Sequence, residues 1–154
     1  ARRVLEYDPN VTFVMAGTGD MWPRMVERTV ELGISHKFVF TGFVSREQGD
    51  RLYRMADLFV MPSVSEPFGI VPLEAIYNGA PAIISKQSGV TEVLRHCLKV
   101  DFWDVDDMAN KMISALHYPT LHDSLKECGF DEVLNMSWDK TADRLMEVYC
   151  EAIH

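Results

Sequence analysis

At 154 residues, 47% hydrophobic and 25% charged, the chain has the makeup of one globular domain, not of a disordered segment. Its net charge of −8 argues against a nucleic-acid backbone or an anionic membrane as the main partner, because both reward clustered Lys and Arg. No run approaches the roughly 18 apolar residues a membrane helix needs, and no signal peptide is visible. The three cysteines, Cys97, Cys128 and Cys150, have neither CxxC nor metal-ligand spacing, so buried free thiols in a reducing, cytoplasmic setting are expected.

In chain order, ARRVLEYDPN reads as the last turns of a helix stopped at Asp8-Pro9, and as a cut end with polypeptide before it. VTFVMAG (11–17) is a continuous apolar run ending in glycine, the pattern of a strand buried on both faces. A helix follows from about Met21 to Leu32, with Pro23 in its first turn and Gly33 as its stop. KFVFTG (37–42) is a second strand; Ser45, with Gln48 at capping-box spacing, opens a helix to about Ala56. LFVMPS (58–63) is a third strand, and Val71 to Asn78 a helix closed by Gly79. PAIIS (81–85) is a fourth strand, followed by a short helix near Thr91–Arg95 and a fifth strand, CLKV (97–100). From Asp104 the chain is helical, with breaks near Pro119 and Ser137. Alternating strands and helices predict an α/β domain over residues 1–154, a Rossmann-like parallel sheet with helices on both faces. Met15, Met21, Met25, Met55 and Met61 fall in apolar patterns and read as packing residues.

In such a sheet ligands bind beyond the carboxyl ends of the strands. The loops there are GTGD, TGFVS, PSVSEPFGIV and SKQSGVTE. In SEPFGIVPLE, Pro72 suits the first helical position, which makes Val71 the N-cap and Glu74 the third helical residue. Gly69 lets backbone approach a bound group, and the amides of Ile70, Val71, Leu73 and Glu74 would be free for a phosphate. Along one helix the acids Glu66 and Glu74 would stand about 12 Å apart, but Pro67, Gly69 and Pro72 forbid that helix. The loop can therefore fold back and aim both carboxylates at one ligand. Two acids flanking a phosphate cradle suit sugar hydroxyls on either side of a diphosphate. The plainer alternative is a helix-capping Glu74 and a solvated Glu66.

These residues resemble the E-x7-E motif of the retaining glycosyltransferases of GT-B fold, in the large family 4, or group 1. Supporting matches run through VTFVMAGTGD, the segment from FVFTGFVS to GVTEVL, and the tail SWDKTADRLMEVY. The resemblance implies the C-terminal, nucleotide-sugar-binding half of a two-domain enzyme. It implies Glu66 as the catalytic-site acid at the donor sugar and Glu74 at the ribose. Phe68, Gly69, Ile70 and Val71 would serve sugar and diphosphate through backbone. Phe43 and Val44, after Gly42, would lie against the base, and Gly17 and Gly19 would let their loop approach the nucleotide. It implies no metal and no cofactor besides the nucleotide-sugar substrate. It also implies that the family's first strand of this half, with the Arg and Lys gripping the diphosphate, and an N-terminal domain serving an unidentified acceptor both precede Ala1. The fragment alone is then expected to fold marginally, bind donor weakly and not turn over.

Other signals have simpler readings. Trp22 stands where a dinucleotide fingerprint needs a third glycine. DVDD (104–107) mimics a DxD metal site but opens a helix, where acids suit the dipole. Lys86 reads as a solvated loop lysine, His117 and His122 as surface residues, and His96 as a helix-end residue. Two rivals stay open. One is a related GT-B enzyme, a glycosyl phosphorylase or a nucleotide-sugar epimerase. The other is a non-catalytic, receiver-like binding module.

Overall fold

A computed structural model describes residues 1–153. Five parallel strands alternate with helices: α1 (Arg2–Tyr7), β1 (Phe13–Ala16), α2 (Trp22–Glu31), β2 (Phe38–Gly42), α3 (Arg46–Met55), β3 (Phe59–Met61), α4 (Val71–Tyr77), β4 (Ala82–Ser85) and β5 (Leu98–Val100). Three helices follow: α5 (Val105–His117), α6 (Pro119–Leu134) and α7 (Trp138–Ala152). The α/β class and the parallel strand direction are those read from the sequence. The strands nevertheless form two ladders, β1–β2 and β3–β4–β5, with no hydrogen-bonded ladder joining them among the described residues.

The core is built around β4, whose four residues are all buried. Alternation along the strand sends Ile84 to one face, where it packs with Ile76 of α4, Val90, Leu94 and Cys97. Ile83 faces the other way, onto Val4 of α1 and Ala109 and Met112 of α5. Helices thus cover both faces of this ladder. The β1–β2 ladder is held differently, by stacked rings: Phe13 on Phe38 at 5.1 Å, Phe38 on Phe40 at 5.7 Å, and Trp22 edge-on to Phe40 at 5.8 Å.

Local signals set the helix ends. Ser45 and Gln48 complete their reciprocal capping box, Asp104 accepts from the amide of Asp107, and Ser137 accepts from that of Lys140. The acids of DVDD therefore serve as cap and first turn of α5. Pro119 opens α6, as the predicted break required.

Burial departs from expectation along β1. Val14 is 51% exposed and Met15 36%, and β1 pairs with β2 alone among the described residues. Met21, Met25 and Met55 are also exposed, lacking an element packed over them; Met61 alone of the five packs against the core. The short helix placed at Thr91–Arg95 is a 3-10 turn over Gly89–Glu92. Of the cysteines only Cys97 is buried, and burial pushes its thiol up to about 11, which makes it a packing residue and not a nucleophile. His117 is tied to Asp8 at 3.2 Å, and His122 to the carbonyl of Asp57 at 3.0 Å, so both fasten elements together. α7 buries none of its residues.

His96 meets a carboxylate, where helix carbonyls were expected. Glu132 of α6 accepts from the amides of Arg95 and His96 and contacts the His96 ring at 3.1 Å. Burial alone would raise the Glu132 carboxyl, but the two amides and the His96 ring outweigh it and hold it below the usual range. Glu132→Gln is therefore expected to lower stability by about 1–3 kcal/mol at neutral pH, read by urea unfolding. A depressed carboxyl contributes stability that is complete above the unfolded value of about 4.3 and lost as pH falls through the folded value. The gap between wild type and variant should accordingly narrow on acidification below about pH 4.5.

Candidate functional site

Four loops lie at the carboxyl ends of the strands, tied together in two pairs. The loop after β1 is tied to the one after β2 by the amide of Gly17, which donates to the carbonyl of Gly42 at 2.8 Å. Beyond this tie Phe43 stands 81% exposed, its ring uncovered, with Val44 half-buried behind it. Gly17 and Gly19 line a largely apolar hollow of about 210 Å³ with Met21, Trp22 and Met25.

The loop after β3 carries Glu66, and it is seated on the segment that follows β4. The amide of Gly89 donates to the carbonyl of Glu66 at 3.0 Å, and that of Val90 to the carbonyl of Phe68 at 2.7 Å. Glu66 and Ser88 form an isolated parallel bridge. Gly69 takes φ 87°, and a Cβ there would lie 2.9 Å from Cγ of Glu66 and 3.2 Å from Cε of Met61. Only glycine fits both the backbone and the Glu66 side chain folded over it. The half-buried Glu66 is thereby aimed by its own loop.

At the start of α4 the helix is set one residue earlier than expected. Ile70 is the N-cap, Val71 the first helical residue, and Pro72 the second. Glu74 is consequently the fourth helical residue, and its amide is already taken by the carbonyl of Ile70 at 3.0 Å. It is removed from the set of free amides; those of Ile70, Val71 and Leu73 have no backbone partner among the described residues. The side chains of Phe68, Ile70 and Val71 lie exposed around this turn.

Glu66 and Glu74 make their hydrogen bonds through backbone alone, and neither carboxylate has a partner among the described residues. Glu74 lies near α3: burial, then the charges of Glu74 and Asp50, raise the Tyr53 phenol. Asn78 fixes α4 to α3 by accepting from Arg54 Nε at 3.0 Å. Lys86 is paired with Asp101 at 2.7 Å and is not a free cation beside the acids. No group of three or more His, Cys, Asp or Glu able to hold a metal occurs among the described residues. No described helix is long and apolar enough to cross a membrane. The contribution of Ser88 and Gly89 was not legible in the sequence, because it depends on a loop far earlier in the chain.

Glu66, on the loop after β3, and Glu74, in the first turn of α4, thus stand on either side of the Gly69 turn in the chain, each with its carboxylate unpartnered among the described residues. The glycosyl transferases group 1 family matches residues 1–131 of the chain. The chain belongs to this family. An uncharacterised glycosyltransferase of Methanocaldococcus jannaschii is 45% identical over 87 residues, 56% of this chain and 22% of the relative. The sucrose-phosphate synthase of Thermosynechococcus elongatus superposes with a TM-score of 0.80 at 23% identity, over 99% of this chain and 41% of that one. Anabaena HepE, in complex with UDP and glucose, superposes at 0.82 and 19% identity, over 97% of this chain and 43% of that one. The chain spans 22% of the length of that Methanocaldococcus jannaschii relative and 38% of that of a D-inositol 3-phosphate glycosyltransferase of Thermobifida fusca. Membership of the group 1 glycosyl transferases leaves the receiver-like module without support.

Proposed function

We propose that this group 1 glycosyl transferase domain binds a nucleoside-diphosphate sugar and that the intact protein passes the sugar to an acceptor hydroxyl with retention of configuration. The observation that carries the reading is the pair of unpartnered carboxylates, Glu66 and Glu74, set on either side of the Gly69 turn. Glu66 meets the donor sugar, Glu74 the ribose, and the turn from Phe68 to Val71 the diphosphate. Phe43 and Val44 lie against the base, with Gly17 and Gly19 alongside. The binding of UDP and glucose by HepE, a protein of the same fold, supports a donor of this class.

In the reaction, the bond from the anomeric carbon to the diphosphate oxygen breaks and its electron pair leaves with the diphosphate. The acceptor oxygen bonds to that carbon and its proton passes to the departing group. Positioning and charge stabilisation carry the rate, with no protein nucleophile and no metal. Because the chain spans only part of its relatives' length, the transfer is assigned to the intact protein and not to these residues alone.

Calorimetry with UDP, GDP and ADP, then their glucose and mannose conjugates, tests the donor site in the intact protein. One nucleotide is expected to bind, and Glu74→Ala to weaken it by about 10- to 100-fold, the worth of a hydrogen bond to a charged group. Failure of every nucleotide to bind wild type would remove the reading.

A further inference from the structure

We infer that Gly89 is the positioning residue of the acidic loop: its lack of a side chain lets the loop seat where Glu66 meets the donor sugar. The inference rests on the donor reading above.

Gly89 has an ordinary backbone conformation, so its identity is not required by a left-handed turn, as that of Gly69 is. What requires glycine is contact. A Cβ at position 89 would lie 2.1 Å from the carbonyl oxygen of Pro67, 3.0 Å from its carbon and 3.2 Å from Cα of Phe68. All three are backbone atoms of the acidic loop and cannot swing aside as a side-chain tip would. The anchor itself is firm. Ser88 and Val90 on either side are buried, and the carbonyl of Ser88 accepts from both the amide and the hydroxyl of Thr91.

The loop, by contrast, has little else. Between β3 and α4 its backbone is held by the bonds from Gly89 and Val90 and by the bridge between Glu66 and Ser88. A methyl group at position 89 therefore displaces the segment 66–68 while leaving α4, and Glu74 with it, packed on the core through Ala75 and Ile76. The two acids are held by separate supports, and Gly89 controls one of them.

The test is Gly89→Ala in the intact protein, with UDP and UDP-glucose as probes, or the GDP or ADP pair should wild type select that base. Affinity for the nucleoside diphosphate alone is expected to stay within about twofold, since Glu74 is not moved. The extra affinity of the sugar conjugate and the transfer rate are expected to fall at least about tenfold. The double variant Gly89→Ala/Glu66→Gln should lose little more than Glu66→Gln alone, well short of the product of the two single losses, because both changes act on the same contact. Unchanged transfer, equal loss of nucleotide and sugar binding, or multiplying losses in the double variant would each overturn the inference. If Gly89→Ala does not fold, Pro67→Gly, which keeps the carbonyl against Gly89 but frees the backbone of the loop it seats, is read by the same split. A wild-type protein that binds no nucleotide defeats the donor reading itself; an unaffected variant in a binding protein defeats only the role of Gly89.

Discussion

Glu66→Gln in the intact protein is expected to lower the rate of sugar transfer by about 10²–10³-fold, the scale seen when one aligned polar group is removed from a reacting centre. Affinity for the nucleoside diphosphate alone should hold within about twofold. The substitution keeps the size of the side chain, removes the charge and exchanges one accepting oxygen for a donating NH2. Because the carboxylate has no protein partner, stability should move by no more than about 0.5 kcal/mol. A product assay for released nucleoside diphosphate gives the rate, and calorimetry the affinity. If both fell together, Glu66 would be a nucleotide contact and the assignments of the two acids would need exchanging. If neither fell, the donor sugar would be held elsewhere.

That no helix runs from Glu66 to Glu74 was legible because prolines and glycine are local, decisive features. Pro67, Gly69 and Pro72 exclude a helix through the segment whatever surrounds it. The caps at Ser45, Asp104 and Ser137 were legible for the same reason: each needs only a partner three residues on. The start of α4 was less so. Pro72 is tolerated at the first or the second helical position, and the structure uses the second, which withdraws the Glu74 amide from the cradle. Gly89 was not legible as a support, since its role depends on the carbonyl of Pro67 arriving from another loop. Glu132 is a similar case, a carboxylate on α6 that satisfies amides at Arg95 and His96. Sequence patterns record what a residue does to its neighbours in the chain; they do not record which distant backbone will need it.

The same limit explains β1 and gives the second large prediction. In sequence VTFVMAG reads as an apolar strand buried on both faces, and PAIIS as another strand of the same sheet. In the structure β4 has a strand on each side and a helix layer on each face, whereas among the described residues β1 has a strand on one side only. Ile84→Ala removes a fully buried side chain from a close-packed cluster and is expected to cost about 2–5 kcal/mol. Val14→Ala, at a half-exposed position, is expected to cost under about 1 kcal/mol. Urea unfolding of the 154-residue chain measures both. A Val14→Ala cost equal to that of Ile84→Ala would mean that the open edge of β1 is covered in solution. Dilution then separates the causes: a cost that fades as the protein is diluted identifies a second copy pairing along that edge, and one that does not places the cover within the chain itself.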